Sequence, residues 1–202
     1  MMLNKFIESA NKIAAISNYK YSKEIEEFTK NYDIVIRFNN GSNTITLKDK
    51  LGRNFNNRND ICVLSGWQGV GGFFGNLNGY TNKTILFSRP KCVNGIKYKY
   101  KKICVQQSFE DNIKKYTKDI NYIPLQVFYD FYDEYNYDHP TTGLITTYYI
   151  CKYFNKKIDV INFFIEQNNL HNTFLNVMYN YTHDISKESF ILNSFNVNRI
   201  VI

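Results

Sequence analysis

The chain predicts an α/β fold, with a mostly parallel central sheet flanked by helices in a Rossmann-like arrangement. Three observations carry this. Short apolar runs of strand length alternate with longer helical patterns. The first strand, helix and strand fit between residues 12 and 38, the size of a βαβ unit. Both strands of that unit run into polar side chains, Ser17-Asn18 and Asn39-Asn40. Those are the carboxyl ends, where an open parallel sheet places its ligands.

Taken in order, Lys12-Ile-Ala-Ala-Ile16 is a short apolar run bounded by Ser17-Asn18, and reads as a buried strand. Ser22 to Lys30 reads as a helix. Ser22 can cap it, Glu24, Glu26 and Glu27 favour its first turns, and Ile25 and Phe28 share a face. Asp33 to Phe38 is the second strand and Ile61-Cys-Val-Leu64 the third. Gly66 to Gly79, rich in Gly and Asn, reads as a loop; Gly69-Val-Gly71-Gly72 lacks the full dinucleotide fingerprint. Thr84 to Ser88 and Ile103 to Gln106 are further strands. Phe128 to His139 reads as an amphipathic segment whose acidic face holds Asp130, Asp133, Glu134 and Asp138, rather than as a metal site. Leu144 to Phe154 is a helix started by Pro140-Thr-Thr-Gly143, and Ile158 to Phe164 the next strand. Ser186 to Phe195 is a helix and Val197 to Ile202 a last strand. With no internal repeat and no linker, residues 1-202 are expected to form a single domain.

Hydrophobic residues make up 44% of the 202 and aromatics 17%, enough for a real core and against a disordered chain. The net charge of +7 favours anionic partners: nucleotides, nucleic acid, acidic sugars or an anionic membrane. Most basic residues are scattered. Lys97-Tyr-Lys-Tyr-Lys-Lys102 is concentrated, either as an exposed strand or as a docking patch for an acidic acceptor or for peripheral contact with an anionic membrane. Cys62, Cys92, Cys104 and Cys151 lie in apolar runs without Cys-x-x-Cys spacing, and read as reduced thiols. No signal-peptide core and no spanning apolar run is present, so the expected location is cytoplasmic.

Three constellations can carry chemistry. In Pro140-Thr141-Thr142-Gly143, proline fixes a turn, threonine supplies hydroxyls, and the first amides of the following helix attract an anion. The same residues also describe an ordinary capped helix. A histidine titrates near neutrality, and His183, which precedes a helix, can take a proton from a hydroxyl there or be an ordinary surface histidine; Glu188 follows in the first or second turn. Asn39 and Asn40 offer amide donors and acceptors at a strand end, or serve a turn.

Together these stretches resemble the CMP-sugar-dependent sialyltransferases of glycosyltransferase family 29. Lys12 to Asn18, then Lys23-Glu-Ile-Glu, then Asp33-Ile-Val-Ile-Arg37-Phe-Asn39 is similar to the family's long sialylmotif. His139-Pro-Thr-Thr-Gly143 with Ile158 to Phe163 resembles the short motif. His183 to Glu188 resembles the very short His-x4-Glu motif, and His171 lies about where the third motif holds a histidine. Ser17 stands where the family has glycine, and Asn162-Phe163-Phe164 where it has a glycine-rich strand end.

The resemblance implies a GT-A-variant, sialyltransferase-type domain that moves an acidic sugar from CMP to an acceptor hydroxyl with inversion and without a metal. The donor would carry sialic acid or Kdo, and the acceptor would be a glycan or glycolipid. It implies catalytic roles for His183 as base, His171 at the leaving phosphate, and Glu188. It implies CMP-sugar binding by Ser17, Asn18, Arg37, Asn39, Asn40, Thr141, Thr142 and Gly143. The CMP-sugar is a co-substrate and no cofactor is expected. The alternative is a basic, non-catalytic nucleotide- or nucleic-acid-binding protein.

Overall fold

The structure is a computed structural model that describes residues 2–17, 23–38, 46–48, 54–56, 60–66, 80–91, 104–163 and 184–202. The expectations at Asn18, Ser22, Asn39, Asn40, Gly69 to Gly72, Cys92, Lys97 to Lys102, His171 and His183 lie outside the described residues. In chain order the elements are α1 (Met2–Ser9), β1 (Ile13–Ile16), α2 (Lys23–Thr29), β2 (Ile34–Phe38), β3 (Thr46–Lys48), β4 (Asn54–Asn56), β5 (Ile61–Leu64), β6 (Thr84–Phe87), α3 (Gln107–Lys114), β7 (Ile120–Tyr122), α4 (Leu125–Tyr135), α5 (Thr142–Tyr153), β8 (Ile158–Ile161), α6 (Ile185–Asn193) and β9 (Val197–Ile200).

Seven strands form one sheet in the order β7-β6-β5-β2-β1-β8-β9, and every pairing is parallel. This is the expected α/β, Rossmann-like fold. A separate antiparallel pair joins β3 to β4. Strands β1, β2 and β5 are buried along their whole length, as strands covered on both faces must be. Alternation divides their side chains. Ile13, Ala15, Ile34, Ile36, Phe38, Ile158 and Val160 face a core shared with α1, α4, α5 and α6. Ala14, Ile16, Val35 and Ile161 face the other side with Ile25 of α2, and Cys62, Leu64, Ile85 and Phe87 pack with Phe109 and Ile113 of α3. Among the described residues no helix is long and apolar enough to cross a membrane.

The chain winds from β1 outward to β7, then returns to lay β8 on the other side of β1. That reversal is the topological switch point, where doubly wound sheets bind ligands. The Ser17 amide donates to the Ile161 carbonyl at 3.0 Å, closing the ladder between β1 and β8 at their carboxyl ends.

Two expectations are corrected. From Cys104 to Gln106 the backbone is irregular instead of a strand, and leads into α3. Val105 there is a buried plug whose amide donates to Pro90 (3.1 Å), and the Gln106 amide donates to Gly66 (2.8 Å). Gly66 has φ +83, and a Cβ there would stand 3.1 Å from Val105 Cγ2. Cys104 is disulfide-bonded, while Cys62 and Cys151 are free thiols. Spacing along the chain does not tell which sulfurs a fold brings together.

Candidate functional site at the switch point

The carboxyl ends of β1, β2 and β8 and the starts of α5 and α6 meet at one edge of the sheet. The contacts can be followed residue by residue. Strand β8 ends because Asn162 turns into the left-handed region (φ 57), which asparagine tolerates better than most residues. Thus Asn162 takes the backbone conformation usual for glycine. Its side chain grips the segment after β9: Oδ1 accepts from the Ile202 amide (3.0 Å) and Nδ2 donates to the Ile202 carbonyl (3.3 Å). Arg199 Nη2 donates to the Phe163 carbonyl at 3.3 Å. Phe163 is thereby fixed with its ring edge against Phe38 of β2, centroids 5.6 Å apart.

The same ring lies under the first turn of α5. A Cβ on Gly143 would stand 2.6 Å from Phe163 Cε1, so the glycine is required by packing, whatever else it does. Thr141 caps α5: its Oγ1 accepts from the Leu144 amide at 3.2 Å, with β-region backbone at φ −60, ψ 158. Thr142 faces β6, its hydroxyl 3.5 Å from that of Ser88. The amides of Thr142 and Gly143 have no hydrogen-bond partner among the described residues.

Glu188 supplies the strongest feature. It stands in the first turn of α6 and is fully buried. Its Oε1 accepts from the Thr141 amide (2.9 Å) and from the Tyr137 hydroxyl (3.0 Å), and its Oε2 from the Thr141 hydroxyl (2.6 Å). An ionised carboxylate repays burial only when such donors surround it. It also places negative charge at the positive end of α5. The Tyr137 hydroxyl in turn accepts from the Asp184 amide at 3.1 Å. Burial, and then the Glu188 carboxylate, push the Tyr137 phenol well above its ordinary range, so it remains a proton donor. Asp184 caps α6, its Oδ1 accepting from the Lys187 amide at 2.9 Å.

Of the sequence-predicted residues, Ser17, Thr141, Thr142, Gly143 and Glu188 lie on this edge or at the two helix starts beside it. Arg37 belongs to β2, opposite Ile16 of β1, and is buried at 3% exposure. Tyr137, Asp184 and the Phe38–Phe163 pair join them without a signal in their own residue types. The acidic segment is a structural helix face. Asp130 accepts from the Tyr153 hydroxyl and from Gln126 (2.7 Å), and Glu134 from Lys152 (2.9 Å) and Tyr148 (3.1 Å). Among the described residues no three His, Cys, Asp or Glu side chains converge as metal ligands would.

No protein-family model matches the chain, and neither a curated protein nor a solved structure shows significant similarity to it.

Proposed function

We propose that the chain is a sialyltransferase-like, inverting glycosyltransferase that moves an acidic sugar from CMP to an acceptor hydroxyl of a glycan or glycolipid. The observation that supports this most is the clasp of Glu188 on Thr141. It joins the stretch His183 to Glu188 to the turn Pro140 to Gly143, although they are 47 residues apart, beside the carboxyl ends of β2 and β8. Three stretches selected for chemistry in the sequence share one edge of the sheet, at its switch point.

In this reading the acceptor oxygen attacks the anomeric carbon as the bond from that carbon to the CMP phosphate oxygen breaks. His183 takes the acceptor proton, and charge grows on the departing phosphate. The amides of Thr142 and Gly143 are the donors available for that charge, with His171 as a further one. Both oxygens of Glu188 are already engaged, so its role here is positioning rather than proton transfer. Asn18, Asn39 and Asn40 would hold the nucleotide, and the donor sugar is sialic acid or Kdo.

The test is CMP release from a panel of CMP-sugars with and without acceptor, beside a thermal-shift series with CMP, CDP, UDP, GDP and NAD. A ligand that binds the folded state raises the midpoint; CMP is expected to do so and UDP or NAD to do nothing. His183→Ala should lower turnover about 10²–10⁴-fold, the contribution of a positioned base, with CMP binding retained. Wild-type turnover in that variant would remove His183 from the mechanism. Absent turnover with tight oligonucleotide binding would replace the transferase by the non-catalytic nucleic-acid reading.

A further inference from the structure

We propose that Tyr137 is a positioning residue whose hydroxyl sets the start of α6 against the start of α5. The inference rests on the transferase reading and extends it to a residue outside every stretch that carries the resemblance. One oxygen does two tasks. It accepts from the Asp184 amide, at the cap of α6, and donates to Glu188 Oε1, which holds the cap of α5. Asp184 directly follows His183 in the chain, so the hydroxyl fixes the point where the chain carrying the base enters α6.

The ring is anchored separately from its hydroxyl. It follows Asn136, the left-handed residue (φ 47) that ends α4, whose carbonyl accepts from Lys187 Nζ at 3.2 Å. Lys187 Nζ also stands 5.2 Å from the ring centroid, and Phe131 lies 6.5 Å away, centroid to centroid. Tyr137→Phe therefore removes the shared oxygen and keeps the packing. Without it, the Asp184 amide and one lobe of Glu188 each lose a partner, and the two helix starts can shift relative to each other. A displacement of about 1 Å between reacting groups costs on the order of 100-fold in rate.

The experiment compares Tyr137→Phe with wild type in CMP release, donor KM, thermal midpoint and amide exchange at residues 141–145 and 184–188. The expected result is a fall in kcat of about 10- to 100-fold, with donor KM changed by no more than about 2-fold. The midpoint should drop by only a few degrees. An unchanged kcat overturns the inference. So does a loss of activity that is wholly a rise in KM or an unfolding of the variant, because Tyr137 is then structural only. If wild type releases CMP from no donor, the transferase reading fails by itself and exchange decides the inference. Faster exchange at both helix starts supports the coupling; a change at one start only, or at neither, overturns it.

Discussion

Two buried glutamates stand in the first turns of two helices, and the fold uses them differently. Glu110 in α3 is 1% exposed and Glu188 in α6 is 0% exposed. The partner of Glu110 is Lys114, one turn on in the same helix, at 2.5 Å and itself half exposed. Glu188 accepts from the amide and hydroxyl of Thr141 and from the hydroxyl of Tyr137, 47 and 51 residues earlier in the chain. Residue type, burial and helix position are the same. What differs is whether the carboxylate serves its own helix or fixes one helix to another, and only the second arrangement builds a site.

The largest break in this comparison is Glu188→Ala. It leaves the Thr141 amide, the Thr141 hydroxyl and the Tyr137 hydroxyl without their acceptor in a partly buried place. At about 1–3 kcal/mol for each unsatisfied buried group, partly relieved by relaxation, the loss should be about 3–5 kcal/mol. Urea unfolding measures it, and a loss below about 1 kcal/mol would mean the clasp contributes little. Next comes Gly143→Ala, which drives a methyl to 2.6 Å from Phe163 Cε1. Overpacking of this kind costs about 1–3 kcal/mol. In a Phe163→Leu background the same change should become neutral or slightly stabilising, because alanine favours helix over glycine by up to about 1 kcal/mol. Equal costs in both backgrounds would separate the start of α5 from the end of β8.

These contacts also mark the boundary of what the sequence discloses. Strands β1, β2, β5 and β8 are legible because each is a short, mostly apolar run, buried but for the half-buried Asp159 of β8. Helix α5 is legible from its cap. Helix α3 is not, because only Phe109 and Ile113 mark its apolar face and the preceding Val105 mimics a strand. Strand β7 is three residues long and nowhere fully buried, which leaves no pattern to read. At the site, Thr141 to Gly143 and Glu188 stand out by residue type and spacing. Tyr137 does not, because a tyrosine in an aromatic-rich segment looks like core until the fold places its hydroxyl between two helix starts. The role of Gly143 was equally hidden: its need for open space comes from Phe163, twenty positions on in the sequence, a contact made only in three dimensions.

The smallest expected effect separates the two glutamates most directly, since the change is the same at both. Glutamine keeps the shape of the carboxylate and removes its charge. At Glu110 it weakens a pair whose other member is half exposed, and such pairs are worth about 0–1 kcal/mol. Glu110→Gln should therefore cost about 1 kcal/mol or less. At Glu188 glutamine leaves one neutral oxygen to accept from the Thr141 amide and the Tyr137 hydroxyl, its NH2 group meets the Thr141 hydroxyl as a donor and cannot accept from it, and the positive end of α5 loses its counter-charge. Hydrogen bonds to charged groups are worth about 1.5–3 kcal/mol and neutral ones about 0.5–1.5, so Glu188→Gln should cost about 2–3 kcal/mol. Equal costs in parallel urea titrations would mean that burial alone sets the value of a first-turn glutamate here. A gap of at least about 1 kcal/mol would assign the difference to the groups that Glu188 gathers from outside its own helix.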